Sequence, residues 1–338
     1  MKLSKYLTSS IVAIAITLTT AGVVHADESN SGNTESAITD AQTVTNVEEF
    51  MGEQFSILDT YENAEDVKDE YMLAYSTYVE SLQKEFSLAE LTVNTASDYK
   101  NAALSSNSSA QIDVQPLLQF LDIYENEQEN TEIISHFEEM SRKVNEGILH
   151  EEEAIEQARM LVPTKPENGN DRPVYQPRNS GINLAAARNY ARKYAVNPNP
   201  KYEVEKTKIF WDADCTNFAS QILLAGGVGM DTYNDVYKGW WWKGKGNRSV
   251  SWINANTFKN YMGSGYSTRS WRSFVSNVRS GDFIGVDFGN DGSVDHIGFV
   301  YSKSGSRLRI AQHTRNYLDW NGDWPDSDNE GKYYRVRR

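Results

Sequence analysis

The sequence predicts a mixed α+β protein, and three observations lead to this fold class. Apolar residues recur at helical spacing among acidic residues through much of the first half. A second helical stripe, from Asn183 to Val196, is stopped by Pro198 and Pro200. Short apolar segments separated by glycines follow near the C-terminal end and are typical of an antiparallel sheet. We therefore expect an acidic all-α module followed by a domain that contains an antiparallel sheet.

The two halves of the 338-residue chain differ in charge and in aromatic content. Through Asn179 there are 11 Lys and Arg against 32 Asp and Glu, whereas the remainder has 22 against 15. All eight tryptophans fall in the second half, and prolines cluster between Pro163 and Pro177. We divide the chain into a signal peptide (1–26), a disordered acidic segment (27–45), an acidic helical module (46–162), a Pro-rich linker (163–180) and a C-terminal domain (181–338).

The first residues predict export. Met1 to Lys5 carries two lysines, Leu7 to Val24 is mostly apolar, and small residues end at Ala26, where a signal peptidase would cut. The apolar stretch is short and has no basic flank on its C-terminal side. We expect a secreted protein associated with the cell envelope, without stable membrane insertion after processing.

The first half predicts helices but gives no indication of function. Apolar residues favour helices over Val47–Leu58, Tyr71–Phe86 and Ile133–Ala158. The Ser, Asn and Ala content of Thr95–Ala110 predicts a flexible link. His136 and His150 are expected at the surface.

Cys215 is the only cysteine, and a lone thiol in an exported protein has no partner for an internal disulfide. It is therefore inert, bonded to another chain, or used in chemistry. Helical spacing from Cys215 to Leu223, ended by Gly226 and Gly227, places the thiol in the first turn of a helix. Free N–H groups and the helix dipole there lower a thiol pKa and can stabilise an oxyanion.

A basic partner for Cys215 is predicted from the sheet. The predicted strands are Asp282–Phe288, His296–Tyr301, Arg307–Thr314 and Tyr333–Val336. His296 begins one strand and His313 lies near the end of the next, so the two histidines can meet. We predict catalytic roles for Cys215, His296 and His313, with His313 or a neighbouring polar side chain orienting His296. Each residue alone could be structural, and the combination favours a thiol hydrolase.

These segments resemble a known family over about Asn183 to Arg338. The motifs that carry the resemblance are Asn189–Ala195, Asn197–Pro200, Asp214–Gln221 with Ala225–Gly227, Gly281-Asp282, Asp295-His296 and Gln312–Thr314. They resemble the "Putative amidase domain" family of Gram-positive bacteria. They are also similar to the papain-like NlpC/P60 and CHAP cell-wall hydrolases, in which a helix-borne Cys faces a strand-borne His and a third polar residue.

The resemblance implies a papain-like fold with an N-terminal nucleophile helix. It places Cys215 in the nucleophile position and His296 in the base position. The third position is open between Gln312, His313 and Asn316, and we favour His313. The resemblance also implies a cysteine-dependent amide hydrolase of a Gram-positive bacterium.

Two other features bear on ligands. Asp287–Asp295 partly matches a calcium loop, but Gly289 replaces a ligand and no Glu follows at the twelfth place, so we favour a plain turn and predict no metal or cofactor. Trp240–Trp242, flanked by lysines, could stack on sugars or bind wall polyanions, with core packing as the alternative. Three consecutive tryptophans cannot all point inward on one strand, so we expect at least one to be exposed or to line the cleft.

Taken together, the sequence predicts a secreted cysteine-dependent amide hydrolase acting on peptidoglycan or a peptide amide through a thioester. The alternative is a non-catalytic cell-wall-binding or scaffolding protein, whose acidic half binds a partner. The acidic half could also mask the basic half by charge. No nucleic-acid-binding motif accompanies the basic, aromatic second half.

Overall fold

The computed structural model describes residues 41–106, 112–163, 181–203, 214–314, 316–320, 324 and 331–337. The predicted signal peptide, most of the predicted acidic segment (27–40 of 27–45) and all but Pro163 of the Pro-rich linker lie outside these residues. The described residues belong to one compact unit. Its helices and strands show the mixed α+β architecture, with antiparallel sheets.

The helices and strands have the following bounds. The helices are α1 (Ala64–Ala74), α2 (Ser76–Phe86), α3 (Ala96–Ser105), α4 (Gln115–Asn145), α5 (Glu151–Leu161), α6 (Leu184–Tyr194), α7 (Asp214–Ala225), α8 (Val250–Ile253), α9 (Ala255–Met262) and α10 (Trp271–Asn277). The strands are β1 (Thr43–Phe50), β2 (Glu53–Tyr61), β3 (Trp242–Gly244), β4 (Asn247–Arg248), β5 (Tyr266–Thr268), β6 (Phe283–Asp287), β7 (His296–Ser304), β8 (Arg307–Gln312), β9 (Tyr317–Trp320) and β10 (Lys332–Arg337). Within the described ranges, none of the helices is both long enough and apolar enough to cross a membrane.

The prediction of an all-α first module is wrong, because the module begins with a β-hairpin. Strands β1 and β2 pair antiparallel, with Phe50 opposite Glu53 across the turn. Met51 and Gly52 both have positive φ, which is the backbone of a tight two-residue hairpin turn. Burial alternates along β1 with the period of a strand. The hairpin also takes in Thr43–Thr45, which we had predicted to be disordered.

Two further predictions for the first half are wrong. Most of the predicted flexible link is helix α3, whose small buried residues Ala102 and Ala103 suit close packing against α4. His136 is buried, and its ring lies 3.6 Å, between centroids, from that of Tyr237. His150 is exposed, as predicted.

The main sheet has six antiparallel strands in the order β5-β10-β6-β7-β8-β9. The four strands predicted from the sequence are therefore confirmed as β6, β7, β8 and β10. One face packs against first-half helices in a hydrophobic cluster that contains Phe120 and Ile284. The opposite face packs against α6, α7 and α9 in a cluster that contains Phe218 and Phe299. The sheet is thus covered on both sides, and the two halves of the chain share a core.

We expected at least one member of the tryptophan run to be exposed or to line the cleft, and exposure is not found, because all three are buried. Trp240 and Trp241 are each 1% exposed, and Trp242 is 7% exposed. Trp240 and Trp242 lie against Trp252, with ring centroids 4.8 and 6.0 Å away. Trp241 donates its indole N–H to the Lys238 carbonyl on the other side. The segment is covered on both sides, so consecutive tryptophans can all be buried here, unlike on a strand with one exposed face.

Candidate active site

Cys215 lies in the first turn of α7, where the sequence predicted it. The helix begins at Asp214 and ends at Ala225, and Gly227 follows with a φ of 90°. Apolar residues of α7 pack on the sheet, which fixes the helix against β7. The side chain of Cys215 is buried, with 1% exposure.

His296 and Cys215 are brought together at the start of β7. The His296 ring and the backbone N–H of Ile297 lie near enough to stabilise the thiolate, and the Thr216 hydroxyl lies 3.6 Å from Sγ. Burial alone would raise the pKa of Cys215. The charge of His296 and these contacts outweigh burial, so the pKa lies below its ordinary value. The starts of α7 and β7 therefore bring the helix-borne thiol and the strand-borne imidazole near each other.

Gln312 and Trp324 fix the proton arrangement of His296. Gln312 Oε1 lies 3.0 Å from His296 Nε2 and accepts the Trp324 indole N–H at 2.7 Å. An indole N–H can only donate, so the Gln312 atom between the two rings must be its oxygen. His296 Nε2 must then carry a proton and donate it to the same oxygen. Nδ1 is left as the nitrogen that can exchange a proton with the thiol.

His313, our favoured third residue, does not contact His296, so that prediction is wrong for the geometry. Its Nδ1 lies 2.8 Å from Asp214 Oδ2, and its Nε2 lies 2.8 Å from the Tyr194 carbonyl oxygen. Its ring stacks on Phe218, with 3.7 Å between centroids and 1° between planes. Both ring nitrogens face acceptors, so each is engaged in a hydrogen bond away from His296. His313 therefore joins the start of α7 to the end of α6.

Strand geometry explains why Gln312 rather than His313 reaches His296. Successive residues point to opposite faces of a sheet, so these neighbours cannot both face the same partner. Gln312 turns to the face that carries Ile310 and Trp324, and His313 turns to the face covered by Phe218 of α7. Asn316, the remaining alternative, is exposed. Nothing in the sequence indicated a role for Trp324, and none was assigned to Asp214 although it begins the Asp214–Gln221 motif.

We expect the Asp214–His313 pair to stabilise the start of α7. Burial would raise the pKa of Asp214, but the hydrogen bond and charge of His313 lower it below the usual carboxyl value. Asp214→Asn should therefore lower the free energy of unfolding by about 1–2 kcal/mol, since the carboxylate is 34% exposed and partly screened. Urea unfolding at pH 7 measures this loss.

The pH dependence of that loss has a definite sign. A lowered folded-state pKa contributes stability that is fully present above the unfolded pKa and is lost as pH falls through the folded pKa. The gap between wild type and Asp214→Asn should thus persist at pH 5 and close only in stronger acid. Asp319→Asn, at an exposed carboxylate on β9, is the matched control. Equal losses in the two variants would contradict this role for Asp214.

The loop that leads into His296 is built on buried carboxylates. Asp287 accepts the backbone N–H groups of Asp291 and Gly292, which makes the turn that we favoured over a calcium loop. Carboxylate oxygens of Asp122, Asp287 and Asp295 lie within 4.8 Å of one another, a spacing that could hold a divalent cation. Burial, followed by the charge of Asp122, raises the pKa of Asp287 to about 7.

A lysine from the first half supplies positive charge to this loop. The Lys100 ammonium contacts Asp122 at 2.8 Å, Asp295 at 3.3 Å and also Glu125. Asp122 in turn accepts the Gly289 N–H, and Asn126 donates to Asp291. Helices α3 and α4 therefore hold the segment that ends immediately before His296.

Removing the Lys100 charge should be strongly destabilising. Lys100→Met leaves buried carboxylates without their cation, and such a loss typically costs about 3–5 kcal/mol. Adding Asp122→Asn should recover part of it, because one buried charge is then removed. Thermal and urea unfolding measure both variants, with Lys84→Met at an exposed position as control. An unfolding free energy of Lys100→Met equal to that of Lys84→Met would show that the ion cluster carries no net stability.

Comparison with known proteins agrees with a hydrolytic domain in the second half. Residues 181–336 match the model of the family described as "Putative amidase domain". This match indicates a hydrolase acting on amides. The matched range contains Cys215, His296 and Gln312.

Two Bacillus subtilis (strain 168) proteins are similar to this chain. The uncharacterized protein YjcM is 29% identical over 223 residues, which cover 62% of this chain and 50% of YjcM. The uncharacterized protein YhbB is 36% identical over 123 residues, which cover 36% of this chain and 37% of YhbB. The chain thus spans half or less of the length of these curated relatives. No solved structure gives a significant match.

Proposed function

We propose that the protein is a cysteine-dependent amide hydrolase in which Cys215 is the nucleophile and His296 the general base and acid. The observation that carries the proposal is the placement of Cys215 beside His296, whose ring is hydrogen-bonded to Gln312, which in turn accepts the Trp324 indole N–H. The lowered pKa of Cys215 favours the thiolate, which is the reactive form. The match to an amidase domain supports the same reaction class.

Acylation begins when the Cys215 thiolate attacks the carbonyl carbon of the amide. The carbonyl oxygen becomes an oxyanion, and free backbone N–H groups in the first turn of α7 are the donors that would hold it. As the tetrahedral intermediate collapses, the C–N bond breaks and protonated His296 gives its Nδ1 proton to the leaving nitrogen. The products are a free amine and a thioester on Cys215.

Deacylation returns the enzyme to its starting state. His296, now neutral, removes a proton from a water molecule, and the resulting hydroxide attacks the thioester carbon. The C–S bond breaks, Cys215 leaves as a thiolate, and the carboxylic acid product departs. Gln312 accepts a hydrogen bond from the Nε2–H group throughout, so the ring keeps the orientation that both half-reactions need.

Peptidoglycan is the substrate class that we propose. An exported protein meets the amides of the cell wall, and the N-terminal sequence has the pattern of a signal peptide. We also propose that the protein is related to papain-like hydrolases and that it works in the envelope of a Gram-positive bacterium.

Digestion of purified peptidoglycan tests this function. The full chain is incubated with the wall, and mass spectrometry identifies the new amine and carboxyl ends. Release that requires Cys215 supports the proposal. Unchanged wall after prolonged incubation, with wild type and Cys215→Ala pulled down equally by the wall, would favour the competing function.

That competing function is wall binding without turnover. Its supporting observation is the burial of Cys215, since a thiol with 1% exposure is also typical of a packing residue. Substrate must reach Sγ for hydrolysis to occur. Thiol labelling therefore tests access directly and is developed in the Discussion.

A further inference from the structure

A strip of arginines and aromatic rings lies on one face of the main sheet and runs from α6 across β7, β8 and β9. Alternation along β8 turns Arg307 and Arg309 to the face that carries Ala311 and packs against α6. Arg309 is the register partner of Trp320 on the edge strand β9, so the two side chains share that face. The arginine strip consists of Arg188, Arg192, Tyr301, Arg307, Arg309 and Trp320.

Aromatic rings hold the guanidinium groups of the arginine strip in place. The guanidinium carbons of Arg188 and Arg309 lie 5.6 and 5.4 Å from the centroid of the Tyr301 ring. Arg188 also donates its Nε–H to the Tyr301 carbonyl oxygen at 2.6 Å. The guanidinium carbon of Arg307 lies 5.2 Å from the centroid of the Trp320 ring. Stacking of this kind orders a guanidinium group and leaves most of its N–H donors available to a ligand.

The positive charge of the arginine strip is not neutralised by the residues around it. Helix α6 and the strands β7 and β8 contain no Asp or Glu. Asp319 of β9 points to the opposite face from its neighbour Trp320. Within the part of the chain that the structure describes, none of the four arginines forms an ion pair. Two of them, Arg192 and Arg307, are exposed and the other two are half-buried. The arginine strip therefore offers four uncompensated charges to an anion.

The extent and chemistry of the arginine strip favour a chain of phosphate groups. The planar fork of an arginine matches the oxygen atoms of a phosphate group. Arg307 and Arg309 stand about 7 Å apart along β8, and β7 to β9 span about 10 Å. A single small anion cannot contact arginines spread over this distance and over α6, whereas a polymer can. The predicted export favours a phosphate polymer of the cell wall over a nucleic acid.

We propose that the arginine strip binds a phosphodiester polymer of the cell wall and so holds the protein at the wall. Tyr301 lies five residues beyond His296 on β7, about 16 Å along the strand, so a bound polymer leaves the proposed active site open. The location in the wall rests on the proposed function. The binding itself uses no group of the Cys215 chemistry.

Two labelled probes applied to the full chain test this partner. Fluorescence anisotropy should show saturable binding of poly(glycerol phosphate) at low salt. Raising the salt from about 50 mM to about 200 mM should weaken this binding about tenfold or more, because each neutralised phosphate releases counterions. An oligothymidylate with the same number of phosphates should bind no more tightly. Tighter binding of the oligothymidylate would identify single-stranded nucleic acid as the partner and would overturn the proposal.

Matched double variants test whether the arginine strip is the binding surface. Arg307→Gln with Arg309→Gln should weaken binding of poly(glycerol phosphate) at least about tenfold and make it less dependent on salt, because two phosphate contacts are lost. Lys84→Gln with Arg272→Gln removes the same charge at exposed positions outside the arginine strip, so it should bind as the wild type does. Lysine at 307 and 309 keeps the charge and should retain the salt dependence with a smaller loss of affinity.

Three results would each overturn the proposal. Wild type could show no saturable binding at low salt, or the two glutamine double variants could bind equally, which would mean that net charge alone acts. The single variant Arg307→Gln, at an exposed position, could keep full affinity. Circular dichroism checks that each variant is folded. None of these measurements depends on amide hydrolysis, and Cys215→Ala should bind the polymer as the wild type does, so the two proposals can fail separately.

Discussion

Replacement of Cys215 by alanine is expected to reduce amide hydrolysis by about 10⁴-fold or more, the scale of loss when a covalent nucleophile is removed. The rate of amine release from peptidoglycan measures it. The chain has no other cysteine, so no second thiol can substitute and any thiol reagent reports on this site alone. A variant that retains more than a tenth of the wild-type rate would rule out Cys215 as the nucleophile.

Iodoacetamide labelling tests both the access to Cys215 and the cause of its lowered pKa. In the native protein, labelling should remain fast below the pH at which an ordinary thiol, with a pKa of about 8.5, loses reactivity. His296→Ala should slow it sharply near pH 7, because burial then raises the pKa without the opposing charge. His150→Ala, at an exposed histidine, should label as the wild type does.

One labelling result would contradict the hydrolase proposal. If native Cys215 reacted only after unfolding in urea, the sulfur would be inaccessible to any substrate. Its 1% exposure in the structure would then hold in solution too. Slow labelling together with normal wall binding in Cys215→Ala would then identify a binding protein.

Features fixed by neighbouring residues could be predicted from the sequence. Helix α6 is marked by its apolar stripe and by Asn183, whose side chain accepts the Ala186 N–H as an N-cap. Helix α7 is marked by helical spacing and by the glycines after Ala225. Apolar runs between glycines marked the strands β6, β7 and β8. These local signals were sufficient to place Cys215 in a first helical turn and His296 at the start of a strand.

Features that depend on distant partners were predicted poorly. The residues of β1 and β2 fit helical spacing about as well as strand spacing, and only the backbone of Met51 and Gly52 closes the hairpin. Helix α3 is stabilised by packing on α4, which its composition does not reveal. The choice between Gln312 and His313 depends on which sheet face each takes, and therefore on the packing of α7 and Trp324.

Gln312→Leu is expected to lower the rate of amide hydrolysis by about 100-fold or more while leaving the fold intact. Leucine has a similar volume but cannot accept a hydrogen bond from the Nε2–H group of His296, so the ring loses its fixed tautomer. Loss of the equivalent acceptor in a serine protease triad lowers kcat by about 10⁴-fold. The alkylation profile of Cys215 should also move to higher pH, since protonated His296 is less stabilised. Amine release and iodoacetamide kinetics across pH measure the two effects.

Two matched variants decide whether Gln312 acts through His296 or only through packing. Gln312→Glu keeps an acceptor for both His296 and Trp324, so it should retain most of the activity and leave the alkylation profile in place or move it to lower pH, because a carboxylate stabilises the protonated ring. His313→Gln disrupts the contacts to Asp214 and Tyr194, so it should lower stability without moving that profile. If His313→Gln shifted the profile and Gln312→Leu did not, the third position would belong to His313, against the geometry of the sheet.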